Sequence, residues 1–420
     1  MDSHLRQYLH AGVICLTTII LLPSCSDGND NFKVRSPGPG PTPLPPELIM
    51  DEMTPAPGFP MSFPDGVAVF PGATGEELFF NEANRQRRIE ISSIDNPPLV
   101  HGVAIERAAD GGRDSNGQIC QDAEGNWIWG EDTGQNIDPP NTVYAGWGVF
   151  DASYNQIGKL TPTRISVNNT DGSEPFGCGL ARDGSGRLFT SEVGGQFQGA
   201  GSGQLIVWFP DPVDGFRVWP GPVPASGYPN SNFSNNYCKL AIDLSTASSV
   251  AVDADNNVYV ANAGNQTVVV FHPPFPTGPD FAGGCSGTDE TGAPMVDPAL
   301  GDALDREVFI APGALISPSG IVQSPTTGNW YVSGVFDGKI LEYSPDGTTV
   351  YQTILDPANN IPPEGPFTTG LPLSTGHPFG LALDSKGTLY YTDMQLSGTL
   401  PKVGPASGKG KLWRIRFNAE

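Results

Sequence analysis

The feature that most constrains the fold of this sequence is a unit of alternating apolar and polar residues at residues 249–271. Two alternating segments flank an Asp-rich turn at residues 253–257, and a second turn at 263–266 leads into a third apolar segment. Alternation with a period of two, bounded by turn residues, is typical of β-strands. The unit therefore predicts three strands joined by two turns.

The same pattern recurs along the chain. The recurrences, each with its third-strand segment where one is recognisable, are residues 63–82, 115–131, 175–192 with 204–209, 318–333 with 339–343, and 378–393 with 411–417. Together with residues 249–271 they predict six repeats, each of which gains a fourth strand from the segment leading to the next repeat. Internal repeats of this size indicate a solenoid or a propeller.

The unit at residues 249–271 resembles an NHL repeat, and the chain after residue 60 resembles the NHL and gluconolactonase-like superfamily of β-propellers. The resemblance implies an all-β, six-bladed β-propeller at residues 61–420, in which each repeat forms one blade. An open array of blades would expose two sheet edges, so we expect an N-terminal strand near residues 46–53 to pair into the last blade. Such propellers host lactonases, lyases and plain binding modules, so the resemblance does not select an activity.

Composition agrees with many short strands and frequent turns. Gly (53 residues) and Pro (42 residues) are abundant, and no apolar pattern with helical periodicity extends beyond two turns in the body of the chain. Five of the seven tryptophans alternate within strand segments, which predicts core packing rather than a sugar-stacking surface; they are Trp127, Trp129, Trp147, Trp208 and Trp330. The net charge of −23 favours cationic partners or solubility alone, and it argues against nucleic acid.

The N-terminus reads as a targeting segment. Residues 11–22 form an apolar run that is short for a membrane span and ends at Pro23, Ser24 and Cys25. This ending resembles a bacterial lipobox, which implies a signal peptide at residues 1–24 and a lipid on Cys25. The alternative is an ordinary signal peptide cut near Ser24. We expect an address in the cell envelope, with the outer membrane favoured over the inner because Asp27 does not follow Cys25 directly.

Residues 25–60 carry the predicted lipidated Cys and a Pro- and Gly-rich stretch with little apolar material to bury. Such a composition predicts a disordered, extended tether.

Four cysteines remain in the body, an even number that suggests disulfides in an exported chain: Cys120, Cys178, Cys238 and Cys285. Three pairings are possible, and we favour Cys120 with Cys178 and Cys238 with Cys285, because each pair joins neighbouring repeats.

Candidate site residues lie where the first strand of a repeat begins and the second ends, since both points face the same side of a propeller. The candidates for a hard cation such as Ca²⁺ are the oxygen-bearing residues Asp65, Asn116, Glu131, Glu192 and Asp393. Asp65 and Asn116 are similar to metal-site residues of the gluconolactonase-like family. The alternative is that these side chains cap strands or bind turn amides. His377, at the start of a first strand, is a candidate general base or ligand, with an ordinary loop histidine as the alternative.

Two functions remain open. The first is a cell-envelope binding or scaffold module, anchored to a lipid membrane and presenting its propeller face to a small molecule, glycan or protein. The second is a Ca²⁺-dependent lactonase- or esterase-like hydrolase or lyase of the gluconolactonase-like type. No nucleophile elbow or phosphate-binding loop occurs in a convincing context. We expect a monomer.

Overall fold

A computed structural model of the full chain shows an all-β protein. The structure describes residues 33–34, 48–52, 64–72, 75–82, 85–90, 102–106, 113–133, 146–160, 177–192, 203–213, 215–216, 237–278, 305–355, 376–394, 396–399, 402–405 and 410–417. Among these residues no helix is long and apolar enough to span a membrane. The described residues include one 3-10 turn, at Ala263–Asn265. The predicted signal peptide, Cys25 and most of the predicted tether lie outside the described residues.

The strands, in chain order, are β1 (Lys33–Val34), β2 (Leu48–Glu52), β3 (Pro64–Pro71), β4 (Glu76–Glu82), β5 (Arg85–Glu90), β6 (Gly102–Glu106), β7 (Arg113–Gln121), β8 (Trp127–Thr133), β9 (Gly146–Phe150), β10 (Gln156–Leu160), β11 (Gly177–Arg182), β12 (Leu188–Glu192), β13 (Gly203–Trp208), β14 (Tyr237–Leu244), β15 (Ala247–Val252), β16 (Val258–Asn262), β17 (Thr267–Phe271), β18 (Arg306–Ile310), β19 (Pro318–Gln323), β20 (Trp330–Gly334), β21 (Lys339–Tyr343), β22 (Val350–Leu355), β23 (Pro378–Leu383), β24 (Leu389–Asp393), β25 (Leu396–Thr399), β26 (Lys402–Pro405) and β27 (Lys411–Phe417).

The chain divides into two compact units. Unit 1 comprises Met1–Glu106, Gln266–Val268 and Val308–Glu420, and unit 2 comprises Arg107–Asn265 and Val269–Glu307. The four-stranded sheets of unit 1 have the orders β3-β4-β5-β6, β19-β20-β21-β22 and β2-β27-β24-β23, and β25-β26 form a two-stranded ribbon. The four-stranded sheets of unit 2 have the orders β10-β9-β8-β7 and β11-β12-β13-β14.

A further sheet has five strands, in the order β1-β18-β17-β16-β15, and the division between the units falls within β17 and β18. The described residues thus form five four-stranded sheets, not the six that the repeats predict. The repeat at residues 249–271 lies in the five-stranded sheet, where β1 adds an outer strand. The short run Lys33–Val34 carried no strand signal, because it lies in a segment whose composition predicts a tether.

Strand β2 confirms the predicted pairing of an N-terminal segment into the last sheet. It runs antiparallel to β27 in unbroken register, from Leu48 opposite Phe417 to Glu52 opposite Trp413. Residues 48–52 therefore belong to a sheet, although the predicted boundary at residue 60 placed them in the tether. The local reason is the run of three apolar residues at the start of this strand, Leu48, Ile49 and Met50.

The hairpin between the first two strands of a repeat closes on an aspartate. In the repeat at residues 249–271, Asp253 Oδ1 accepts hydrogen bonds from Asp255 N (2.9 Å) and Asn257 N (2.8 Å), and Asn256 takes a left-handed conformation with φ of 64°. Equivalent carboxylates satisfy turn amides elsewhere, at Asp122, Asp183 and Asp384. The Asp-rich turn predicted from the sequence is thus a set of side chain to backbone bonds that fixes the hairpin.

Apolar faces of neighbouring sheets bury the core of each unit. In unit 2, Trp147 and Trp208 are fully buried, the indole of Trp208 lies 4.7 Å from the ring of Tyr237, and Trp208 Nε1 donates to Thr190 Oγ1 at 2.8 Å. In unit 1, Tyr331, Leu381 and Tyr391 belong to one buried cluster. The prediction that the tryptophans pack in the core is confirmed, because all five are buried: Trp127, Trp129, Trp147, Trp208 and Trp330.

The predicted disulfide between Cys120 and Cys178 is wrong. Cys120 has a free thiol, packs against the apolar cluster around Ile128, and donates its S–H to the carbonyl of Gln121. Loss of hydration raises the pKa of this thiol to about 12, so Cys120 behaves as a small apolar side chain. The side chain of Cys178 and all of Cys285 lie outside the described residues, and the pairing of Cys238 with Cys285 stays a prediction.

Candidate functional site

In each described repeat, the start of the first strand lies opposite the end of the second. Pro64 pairs with Glu82, Ser115 with Glu131, Gly177 with Glu192, and Pro378 with Asp393. The register shifts just after these pairs, for example between Pro378 and Leu381, so a bulge bends the first strand where it begins. The candidate residues therefore lie near one end of their own hairpins, and their role as a site stays a prediction.

Unit 1 carries three of the candidates with described side chains, and all three are buried: Asp65, His377 and Asp393. Asp393 Oδ1 accepts the backbone N–H of His377 at 2.8 Å, and Met394 N donates to His377 O at 3.1 Å. The end of β24 thus holds the residue that precedes β23. Asp65 Oδ1 accepts Gly66 N at 2.6 Å.

The two carboxylates therefore satisfy backbone amides, as the alternative interpretation of the sequence expected. Carboxylate oxygens are also the donors that a hard cation prefers. Among the side chains that the structure describes, no three His, Cys, Asp or Glu residues lie close enough to hold a metal ion. The strand positions of Asn116, Glu131 and Glu192 are described, but their side chains lie outside the described part, so the five-residue Ca²⁺ site stays a prediction.

His377 is almost fully buried, at 2% exposure. Burial disfavours the imidazolium and lowers the pKa of His377 to about 3, so the ring is neutral at physiological pH. A neutral imidazole offers one donor and one acceptor. A general base near neutral pH works best with a pKa close to 7, which counts against proton transfer by this residue.

Gln118, which the sequence did not mark as a candidate, joins three repeats of unit 2 through its side chain. Its Oε1 accepts hydrogen bonds from Leu180 N (2.8 Å) and Val250 N (2.7 Å), on the first strands of two other repeats. The available signal was positional, because Gln118 stands where most repeats have glycine.

Comparison with known proteins supports the fold. The family model described as "NHL repeat" matches residues 244–271. No curated protein sequence matches the chain. The solved structures that resemble it include a luciferin-regenerating enzyme, with a TM-score of 0.51 at 12% identity, covering 88% of this chain and 95% of that one.

Two further structures have similar extents. One is a calcium-binding protein, regucalcin from Agrobacterium tumefaciens, with a TM-score of 0.49, 12% identity and coverage of 86% and 94% of the two chains. The other is a gluconolactonase from Xanthomonas campestris, with a TM-score of 0.49, 13% identity and coverage of 92% and 99%. At these identities a structural likeness reports the fold and not the activity.

The repeat match and the sheet architecture together define an all-β β-propeller protein. More closely, the predicted NHL resemblance is confirmed at residues 244–271, and the fold is similar to that of the luciferin-regenerating enzyme.

Proposed function

We propose that this protein is a cell-envelope lipoprotein whose β-propeller binds a small molecule, glycan or protein through the hairpin ends that carry His377, Asp393 and Asp65. The observation that carries the proposal is the buried, neutral imidazole of His377, held in place by Asp393 through its backbone N–H. A neutral imidazole, which offers one donor and one acceptor, suits recognition of hydroxyl and amide groups by hydrogen bonds. The low pKa argues against acid–base chemistry at this residue.

A metal-dependent hydrolase or lyase is the second candidate function. Its support is the fold shared with a luciferin-regenerating enzyme, together with the carboxylates of Asp65 and Asp393 at equivalent ends of their sheets. A catalytic Ca²⁺ would need at least one more oxygen ligand and an open coordination position. Asn116, Glu131 and Glu192 are the residues proposed to supply the further ligands.

One titration separates the two functions. The purified full chain is stripped with chelator and melted with Ca²⁺, Mg²⁺, Mn²⁺ or Zn²⁺, and in parallel it is screened for binding on a glycan and metabolite panel. For the binding module we expect no saturable metal shift, and one ligand class whose affinity falls at least tenfold in His377→Gln. Asp255→Asn, which alters an exposed turn acid, is the matched control and keeps full affinity.

A metal-dependent enzyme is expected to give the opposite result. A large, saturable rise in melting temperature with Ca²⁺ alone, lost in Glu131→Gln and Asn116→Ala, would overturn the binding assignment in favour of the metal enzyme. Hydrolysis of lactones and esters would then be the activity to assay.

The proposed lipid on Cys25 would determine the location of the protein in the cell, and the outer membrane is the favoured location. A Cys25→Ser chain cannot receive a thioether-linked lipid, so we expect it to move from the membrane fraction to the soluble fraction of its bacterial host. Single-acyl anchoring is weak and dual or triple acylation is stable, so the shift is expected to be nearly complete. Unchanged membrane association of Cys25→Ser would remove the lipoprotein from the proposal.

A further inference from the structure

In unit 2, two backbone N–H groups converge on one oxygen. Leu180 N and Val250 N both donate to Gln118 Oε1, at 2.8 and 2.7 Å, from strands β11 and β15, while Gln118 itself lies on β7. Two backbone donors aimed at one point form the arrangement by which proteins hold a carbonyl oxygen or an oxyanion. In this protein a side chain of the chain itself fills that point.

The strand register shows that Gln118 departs from its repeat. The residue after it, Ile119, pairs with Trp129 as Leu180 pairs with Thr190 and Leu381 with Tyr391. By this register the residues equivalent to Gln118 are small: Gly66, Gly179, Ser249, Gly320 and Gly380. Glycine is required where the next first strand passes closely, since a Cβ at 320 would lie 2.2 Å from Phe379 O.

A third donor lies beside the two N–H groups. Ser191 is fully buried, and among the described residues its Oγ has no hydrogen-bond partner. A Cβ placed on Gly179 would lie 2.1 Å from Ser191 Oγ and 2.9 Å from Val250 N, so the hydroxyl and the amide flank the same small space.

The equivalent hydroxyls of unit 1 both have hydrogen-bond partners. Ser333 Oγ accepts Gly320 N at 2.8 Å and donates to Phe379 O at 2.9 Å. Thr392 Oγ1 likewise accepts Gly380 N and donates to Asp65 O. Since a buried hydroxyl without a partner is destabilising, Ser191 marks a place where a polar ligand group would be stabilised.

We infer that Leu180 N, Val250 N and Ser191 Oγ form a binding site for a carbonyl oxygen, and that the carboxamide of Gln118 is its built-in occupant. The ligand class is a neutral carboxamide, because the net charge of −23 disfavours anions and the occupant is itself a carboxamide. A ligand that carries such a group competes with Gln118 for the two amides. This site goes beyond the proposed function, whose residues His377, Asp393 and Asp65 belong to unit 1.

The site is tested by removing its occupant from the full chain. In Gln118→Ala the two N–H groups lose their acceptor, so we expect a lower melting temperature and a saturable recovery of several degrees on titration with acetamide. Gln118→Gly, which restores the residue found in most repeats, serves as a second variant if alanine prevents folding. The wild-type chain, whose site is filled, is expected to show no saturable gain.

Gln204→Ala is the matched control, since Gln204 lies on β13 of the same unit and its buried Oε1 has no hydrogen-bond partner. We expect no saturable acetamide response from it, and a several-fold weaker response when Ser191→Ala is added to Gln118→Ala. Equal responses of Gln118→Ala and Gln204→Ala would overturn the site. A stronger response to acetate than to acetamide would overturn the assignment to neutral carbonyl groups.

Discussion

A chain that lacks residues 47–53 is expected to lose on the order of 5 kcal/mol of unfolding free energy, because β2 is the outer strand of the sheet that ends the chain. Its five residues pair with β27 from Leu48 opposite Phe417 to Glu52 opposite Trp413. Each lost backbone hydrogen bond costs about 1 kcal/mol, and the freed edge of β27 invites pairing with other chains. Guanidinium melts followed by far-ultraviolet circular dichroism and by tryptophan fluorescence measure the loss.

Deletion of residues 36–43 is the matched control, since it shortens the chain by a similar length before β2 and leaves the pairing intact. We expect its unfolding free energy to stay within about 0.5 kcal/mol of the wild type. Met50→Pro tests the same strand without changing length, because proline cannot donate a ladder hydrogen bond. An unaltered midpoint in both the 47–53 deletion and Met50→Pro would show that β2 contributes nothing to the stability of the fold.

The strands and the ends of the hairpins could be predicted from the sequence, because both follow from the local pattern of residues. Alternation at residues 249–271 and the turn acid Asp253 act over a few residues, and they predicted the meander that the structure contains. The pairing of the segment at 46–53 with the last sheet was also predictable, because an unpaired edge is costly in any propeller.

Hydrogen-bond partners that lie on other strands could not be predicted from the local sequence pattern. Glu342 stands in an alternating strand, where a charged residue ordinarily faces solvent, yet it is fully buried and accepts hydrogen bonds from Asn329 Nδ2 (2.7 Å), Gln352 Nε2 (2.6 Å) and Tyr331 OH (3.3 Å). Each donor becomes its neighbour only after the strands of this sheet have paired. The hydrogen bond from Val250 N to Gln118 Oε1 could not be predicted for the same reason.

The candidate site was predictable in position and only partly in chemistry. Strand register puts Asp393 at the end of its hairpin, but whether its carboxylate faces a ligand or a backbone amide depends on the path of the segment before β23. That path brings His377 N to 2.8 Å from Asp393 Oδ1. Likewise, even numbers of cysteines suggested a disulfide for Cys120, whereas its thiol packs against apolar side chains near Ile128.

The second large effect is a loss of folding stability at acid pH that is caused by His377. Its pKa is about 3 in the folded chain because burial disfavours the charged ring, against about 6.5 in the unfolded chain. The unfolded state therefore binds a proton below pH 6.5 that the folded state does not. Stability is complete above that pH and falls by up to about 1.4 kcal/mol per unit as the pH drops towards 3.

Urea melts of the wild type and His377→Gln from pH 7.5 to 4.5 isolate this contribution. The variant lacks the titrating ring, so we expect the free-energy difference between the two proteins to change by about 2–3 kcal/mol between pH 7.5 and 4.5, in favour of the variant at acid pH. Groups present in both chains cancel in that difference, including Asp337, whose pKa burial raises to about 6 and which acts in the opposite direction. A pH-independent offset between the curves would measure lost packing alone, and it would show that the imidazole takes up its proton in the fold as readily as in water.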